Sequence, residues 1–487
     1  AGPWDGLSEE DYKERVLTAG RGLNETEMVD IAAAEAGARF QDLIDWGMTT
    51  KSAPGVFMAL PKGDPGDKVP VWGREIVHTL VAKAEEVGVR FINNLVVRSI
   101  AAGEDGVCLS AYGARQRQWF ELRGGAVILA AGGAGALFLH HDNPKRIGGD
   151  AHTLAYEAGC VMQDMEFVQF YPVAIAEPGK QIFLIEPEGA DLGHLSNAVG
   201  EDILDKYDIT VRPAATHARD ALSQALFKEI EEHDGAVYID LTHVTKEEWC
   251  ANPISATKWA YLDANFNAWK QKLRVAPVAH FSGGGARTDA HGATNIPGLY
   301  AAGEATGGMH GANRMGGNAL TECLVFGQRA GLAATEFAKD KDKGSKAAAP
   351  APLPSAGAPQ EDADDLRAEL CQIMWQYGGI RRDAAGLTTG LEKVRAIAAQ
   401  AARIRGVNEP RKLEKFLETQ LAAGAAELII QAASRREESR GTHARADFPA
   451  ADDKKWRGHL KVVRQADGPN WWFDALAEDE DGIQAAE

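Results

Sequence analysis

The sequence predicts an α/β domain that is interrupted by a second segment and followed by a small helical bundle. Three observations carry this reading. The run "GAVILAAGGAG" reads as a buried strand that breaks at a glycine turn, Gly132 to Gly135. The same strand-then-glycine pattern returns after residue 275, in "HFSGGGARTD" and "GLYAAGEATGG". Residues 364 to 440 then carry almost continuous helical patterns, such as "LEKVRAIAAQAARIRG". Mixed α/β, then a segment of different character, then α/β again is the order of one domain with another inserted.

The elements follow in chain order. A helix is expected in "LNETEMVDIAAAEAGARFQDLIDWG", with Asn24 as its cap, Glu27 completing a capping-box-like pair and Gly47 closing it. A second lies near "REIVHTLVAKAEEVG". Strands are expected in "VRFINNLVVRSI", "GVCLSAY" and "QWFELRG", a helix in "GDAHTLAYEAG", and an apolar strand in "CVMQDMEFVQFYPV". The inserted segment holds the helix "ARDALSQALFKEIEE", the strand "AVYIDLT" and an aromatic patch with Trp249, Trp259 and Trp269. The expected divisions are 1–172, an insertion over 173–275, a return over 276–340, a linker over 341–363, helices over 364–450 and a tail over 451–487. The linker is read from its composition, a charge run followed by Pro and Ala. The polar stretch "RGTHARADFPAADDKKWRGHL" is expected to fold back over other parts.

Composition narrows the function classes. The chain has 487 residues, 45% hydrophobic and 25% charged, the balance of an ordinary globular protein. A formal charge of -18 argues against nucleic acid or an anionic membrane as the main partner. Cys108, Cys160, Cys250, Cys323 and Cys371 are scattered and never form a C-x-x-C pair. That spacing argues against a disulfide framework, a zinc site or an iron–sulfur cluster within this chain, and for a reduced, cytoplasmic compartment. No apolar run reaches the ~20 residues of a membrane helix, and "AGPWDGLSEEDYKERV" lacks the features of a signal peptide.

Two glycine-rich stretches point to a ligand. The turn after "VILAA" would let backbone approach a phosphate or a flat ring; alone it fits an unliganded tight turn equally well. In "IPGLYAAGEATGG" a strand ends at Gly303 and Glu304, placing a carboxylate where a ribityl or ribose hydroxyl could donate to it. Next to it, "HGANRMGGNALTECLVFG" can start a helix at Asn318, whose free N–H groups would face an anionic ring edge or a carboxylate.

These motifs, with "DMEFVQFYP", "THARDALSQAL" and "ESRGTHARADFP", fall in the order seen in the flavoprotein subunits of succinate dehydrogenase and fumarate reductase. The chain resembles that family along nearly its whole length, and L-aspartate oxidase shares the motifs. The resemblance implies an FAD-binding domain of glutathione-reductase-like topology, an inserted α+β capping domain and a C-terminal helical bundle. It implies FAD as cofactor, contacted by Gly132, Gly133, Gly303, Glu304, Asn318, Ala319 and Leu320. Family members begin with a strand, a dinucleotide fingerprint and a loop that often carries a flavin-linked histidine. No such fingerprint occurs in this sequence, so that segment is expected ahead of Ala1.

Reducing a C=C bond beside a carboxylate needs a hydride from flavin, a proton donor on the opposite face, and cations on the carboxylate. The resemblance makes Arg219 the proton donor, and His280 and Arg314 the carboxylate clamp. Tyr171 stands where the family has a histidine, and Ile185 where it has a threonine, while Glu186 is kept. The arginine that relays protons with that glutamate is absent, and Gly189 occupies the ungapped position. Ile185 beside a neutral Tyr171 is expected to suit a substrate with one carboxylate and an uncharged second end. The implied activity is FAD-dependent oxidoreduction at a CH–CH bond, interconverting a saturated and an α,β-unsaturated small carboxylate. Two alternatives stay open: an electron-transferring subunit of a larger complex with an iron–sulfur partner, and L-aspartate oxidase-like amine oxidation. Assembly as an oligomer is compatible with each, and any membrane association would run through partner subunits.

Overall fold

The computed structural model describes residues 2–53, 56–59, 72–232, 235–339, 341, 362–403 and 409–476. Apart from its ends, the linker expected over 341–363 lies outside them. Two adjacent strands organise the molecule. Val168–Ile175 and Leu273–Ser282 pair antiparallel from Val275↔Ile175 to Ser282↔Val168, with two register shifts on the way. They are the inner strands of a five-stranded antiparallel sheet completed by His194–Asn197, Val237–Asp240 and Phe183–Leu184. At one end Val173, Ile175 and Val275 enter a hydrophobic core built wholly from residues between Val173 and Val275. At the other, Val168, Phe170 and Ala279 enter the main core. Tyr171 lies where the two cores meet, packed with Ala174 and Val278.

The main core joins the α/β part to three long helices, Ala363–Tyr377, Ala384–Ala402 and Pro410–Arg435. Within the α/β part, the short strands Val127–Leu129 and Leu299–Ala301 pair in parallel and end in the two glycine turns. After the helices, the hairpin Gly458–Gln465/Gly468–Ala475 pairs with Met162–Gln163, so the tail returns into the sheet that also holds Gly285–Arg287. The first strand of this hairpin is buried without a break from Gly458 to Val462, and its Leu460 and Val462 enter the main core. Among the described residues, no helix is long and apolar enough to cross a membrane.

Three expectations are corrected. The helix Thr26–Asp45 begins without a side-chain cap, because Asn24 donates to the Met309 carbonyl (2.9 Å). The strand expected from Val89 starts only at Leu95; Val89, Phe91 and Ile92 are exposed and have no neighbouring strand to complete a ladder. The apolar run after Cys160 is two strands rather than one. Asp164, at φ 58, breaks it and accepts from the Leu460 N–H (3.2 Å).

Candidate active site

The two glycine turns meet at Ser282, the serine of "HFSGGG". Its hydroxyl accepts from the Ala134 N–H (2.9 Å), and its own N–H donates to Glu304 Oε1 (2.9 Å). Gly132 has φ +79 and Gly303 φ +68, conformations that glycine adopts at little expense. A Cβ on Gly133 would stand 2.3 Å from Glu304 Oε1 and 2.8 Å from Ser282 Oγ. Burial pushes the Glu304 carboxyl up to about 7, against the opposing pull of the Ser282 N–H and Arg314. Near neutral pH it can therefore accept or donate a hydrogen bond.

Asn318 precedes the helix Ala319–Ala338, as expected, but its side chain does not cap that helix. Its Oδ1 accepts from the Tyr12 hydroxyl (2.6 Å), and its Nδ2 is buried without a partner among the described residues. His310 pairs with Glu322 through Nε2 (3.1 Å) and leaves Nδ1 likewise unpartnered. Gly316, Gly317 and Leu320 remain exposed beside them, with Ala319 half-buried. Unsatisfied buried polar atoms beside an open glycine surface fit a flat ligand edged with hydrogen-bonding atoms. The isoalloxazine ring of FAD has that chemistry. Gly133→Ala is expected to cost about 1–3 kcal/mol through overpacking at the turn, read as a lower thermal midpoint and less flavin per chain after purification.

Close to this surface two guanidinium groups lie near enough to act on each other. Arg314 is 5% exposed and lies 4.7 Å from the Phe281 ring centroid. It donates to Gln169 Oε1 (2.9 Å) and the Met315 carbonyl (3.1 Å), while its Nε has no partner. No carboxylate pairs with it among the described residues, and burial, reinforced by Arg219, pushes its pKa down to about 10. Arg219 opens the inserted helix Arg219–Glu232 and donates through Nε to the Ala215 carbonyl (3.2 Å). Its guanidinium lies over the Tyr171 ring at 5.6 Å, and a Cβ on Gly316 would meet Arg219 Nη2 at 3.3 Å. His280 is oriented by Asp142, whose Oδ2 stands 2.6 Å from its Nδ1, and its ring packs 5.4 Å from that of Tyr171. Arg219, Arg314, His280 and Tyr171, predicted from four separate motifs, are thus neighbours.

Glu186 has a different environment from the one expected. The missing relay arginine has no room at Gly189, where a Cβ would lie 2.7 Å from the Trp249 ring. The cation beside Glu186 is Lys258, buried at 6% exposure, which pairs with Glu186 Oε1 and donates to the Leu184 carbonyl (3.0 Å). Burial raises the Glu186 carboxyl, Lys258 opposes this, and Oε2 stays buried without a partner. The Ile185 side chain is enclosed in the core of the insertion, so it does not form the expected apolar wall. Ile185 meets Tyr171 through its carbonyl, which accepts from the phenol (2.8 Å). Burial, and then Glu186, raise the Tyr171 pKa well above its ordinary value, which keeps the phenol neutral. Ser282, Asp142, Gln169, Tyr12 and Lys258 were not singled out by sequence. The first three lie in or near quoted motifs, whereas Tyr12 and Lys258 carry no local signal.

Family models place the chain. A model described as FAD binding domain matches residues 5–320, and one described as fumarate reductase flavoprotein C-term matches 367–475. An uncharacterized FAD-dependent oxidoreductase of Methanocaldococcus jannaschii is 34% identical over 72% of this chain and 65% of its own length. A chain of the CoM/CoB fumarate reductase of Methanothermobacter marburgensis is 30% identical over 93% of this chain and 86% of its own. The L-aspartate oxidase of Streptomyces coelicolor is 30% identical over 94% and 82%. Among solved structures, FrdA of E. coli quinol fumarate reductase superposes with a TM-score of 0.81 at 25% identity, over 100% of this chain and 90% of that one. With the glycine turns joined at Ser282 and the surface beside Asn318, these matches show that the chain belongs to the FAD-binding flavoprotein family of fumarate reductase and succinate dehydrogenase, with L-aspartate oxidases among its relatives.

Proposed function

We propose that the protein interconverts a saturated and an α,β-unsaturated small carboxylate, with FAD as redox cofactor. One observation carries the reading: Arg314 is buried, feels the like charge of Arg219, and has no ion-pair partner among the described residues. A buried charge without an ion-pair partner is costly, and a bound carboxylate would relieve that cost through a charge-assisted bidentate contact. Bound FAD would supply and accept hydride. Gly132, Gly133, Gly303, Glu304, Asn318, Ala319 and Leu320 would hold it. Arg314, positioned by Gln169, and His280, positioned by Asp142, would clamp and polarise the carboxylate. Arg219 would deliver the proton to the substrate carbon, held over the neutral Tyr171 ring. The likeness to a chain of quinol fumarate reductase supports an iron–sulfur electron-transfer partner.

The test is a flavin spectrum of the purified protein, then anaerobic titration with succinate, fumarate, larger enoates and aspartate. Reoxidation of reduced flavin by an enoate is the expected result. Bleaching by aspartate alone would establish amine oxidation instead, and a flavin silent to every enoate would sink the proposal. Arg314→Met should weaken carboxylate binding by about 2–5 kcal/mol. The same change removes a buried, uncompensated charge, so the unliganded variant should melt higher than the parent. Thermal shift with and without succinate reads both effects.

A further inference from the structure

A cavity opens beside the Arg219 helix, lined by its residues Asp220, Ser223 and Gln224. Val168 and Phe170 form one wall, Asp220 and Ser223 a second, and Gly441 and Thr442 of the C-terminal loop a third. Its lining is mixed, with Ile380 and Ala444 beside the polar groups. Ser223 is 3% exposed and its Oγ has no hydrogen-bond partner among the described residues, an arrangement that calls for water or another small polar guest. The loop wall is fixed rather than draped: Thr442 donates to the Ala312 carbonyl through both N–H (3.0 Å) and hydroxyl (3.1 Å). A Cβ on Gly441 would come within 2.4 Å of that same carbonyl oxygen.

Arg219 can deliver a proton only once unless something returns one to it. On the Glu186 side, Oε1 is tied to Lys258, Oε2 has no hydrogen bond to Arg219, and the Tyr171 hydroxyl is committed to the Ile185 carbonyl. Neither donates to Arg219, whose hydrogen bond among the described residues goes to the Ala215 carbonyl. Asp220 is the next residue along, and it reaches the cavity.

We propose that this cavity is the proton inlet of the active site, with water held beside Ser223 and Thr442 feeding Asp220, which reprotonates Arg219. In the reducing direction, Arg219 loses one proton to the substrate carbon. The Asp220 carboxylic acid then passes its proton through one water to the neutral guanidine, and the Asp220 carboxylate takes a proton from the cavity water. No electrons move in this relay. Asp220 is a positioning residue in this scheme, since it acts through Arg219. Its carboxyl is pushed up to about 6 by burial, with Arg21 and Arg219 opposing. Those are the charged groups acting on it; the strand wall offers Val168 and Phe170, and the C-terminal loop Gly441 and Thr442.

The inference rests on Arg219 as the proton donor, and its test separates the two. Fumarate reduction by the holoprotein, driven by reduced methyl viologen, is followed against pH for the parent, Asp220→Asn, Asp220→Glu, Ser223→Val and Arg219→Gln. In the parent, kcat should fall as pH rises through the Asp220 range, because the acid form is the donor. Asp220→Asn should lower kcat about 10²-fold with KM unchanged and abolish that limb; Asp220→Glu should restore it. Ser223→Val loses an unpaired buried hydroxyl, so it should fold normally and still slow turnover. Infrared spectra give a readout independent of turnover: a protonated carboxyl band titrating near pH 6, absent in Asp220→Asn and displaced in Arg219→Gln. An unchanged pH profile in Asp220→Asn beside an inactive Arg219→Gln would overturn the inlet alone. Turnover surviving in Arg219→Gln would overturn both readings.

Discussion

Arg219→Gln is expected to lower turnover about 10²- to 10⁴-fold, the range for loss of a positioned general acid. The effect should fall on kcat and spare KM. Arg219 presses its charge on Arg314 and depresses that guanidinium's pKa, so removing it relieves repulsion in the clamp. Carboxylate binding should survive through Arg314 and His280, slightly weakened at low ionic strength by the loss of a neighbouring positive charge. The side chain is anchored to the preceding turn, Ala214–His217, by one bond to the Ala215 carbonyl, so the fold loses little. Steady-state kinetics with fumarate, set beside succinate-induced thermal shifts, separate the two effects. A parallel rise in KM would mean that Arg219 is part of the clamp instead.

Arg436→Ala should be the most damaging change to stability. Arg436 is fully buried, ion-paired to Glu166 and to Glu438 (3.0 Å), with Asp164 at 3.7 Å. It also donates to the carbonyls of Trp456 and Gly458 at 2.9 Å each, tying the long helix end to the terminal hairpin. Removing it strands buried carboxylates, a change that costs about 3–5 kcal/mol. The deficit should depend on pH. Burial already raises the Glu166 carboxyl, with Arg436 opposing, and without the arginine that carboxyl rises further. An acid whose pKa is raised by folding stabilises the folded state below its unfolded value and loses that contribution as pH rises. The variant's deficit in urea midpoint should thus be smaller at pH 5 than at pH 8. Arg436→Lys should recover only part of it, because an ammonium cannot reproduce the guanidinium's forked contacts.

What sequence reveals and what it hides divide along a physical line. Glycine turns, the strands before them and the helix after Asn318 are local, and each is legible as a short pattern. Arg219, Arg314, His280 and Tyr171 can be found because each sits inside such a pattern, although their meeting depends on how two strands bridge two cores. Lys258 belongs to no pattern, and only the fold brings it to Glu186. Asn24 shows the reverse error: a correct local capping signal lost to a tertiary hydrogen bond with Met309. Ile185 reads as a pocket residue from its place between motifs, yet its side chain belongs to the insertion's core. An aligned position fixes where a backbone runs more securely than where a side chain points.

The insertion departs after Ile175 and returns just before Val275, and these two residues face each other across one strand pair. Its ends are therefore a single strand spacing apart. A segment joined in this way can be exchanged for another of different length whose ends lie equally close, with no new route needed for the rest of the chain. The segment that carries Arg219 and the part of the chain that carries Arg314 can then change independently over evolutionary time. Chimaeras that graft a relative's segment between these two positions would combine the donor's counterpart of Arg219 with this protein's Arg314.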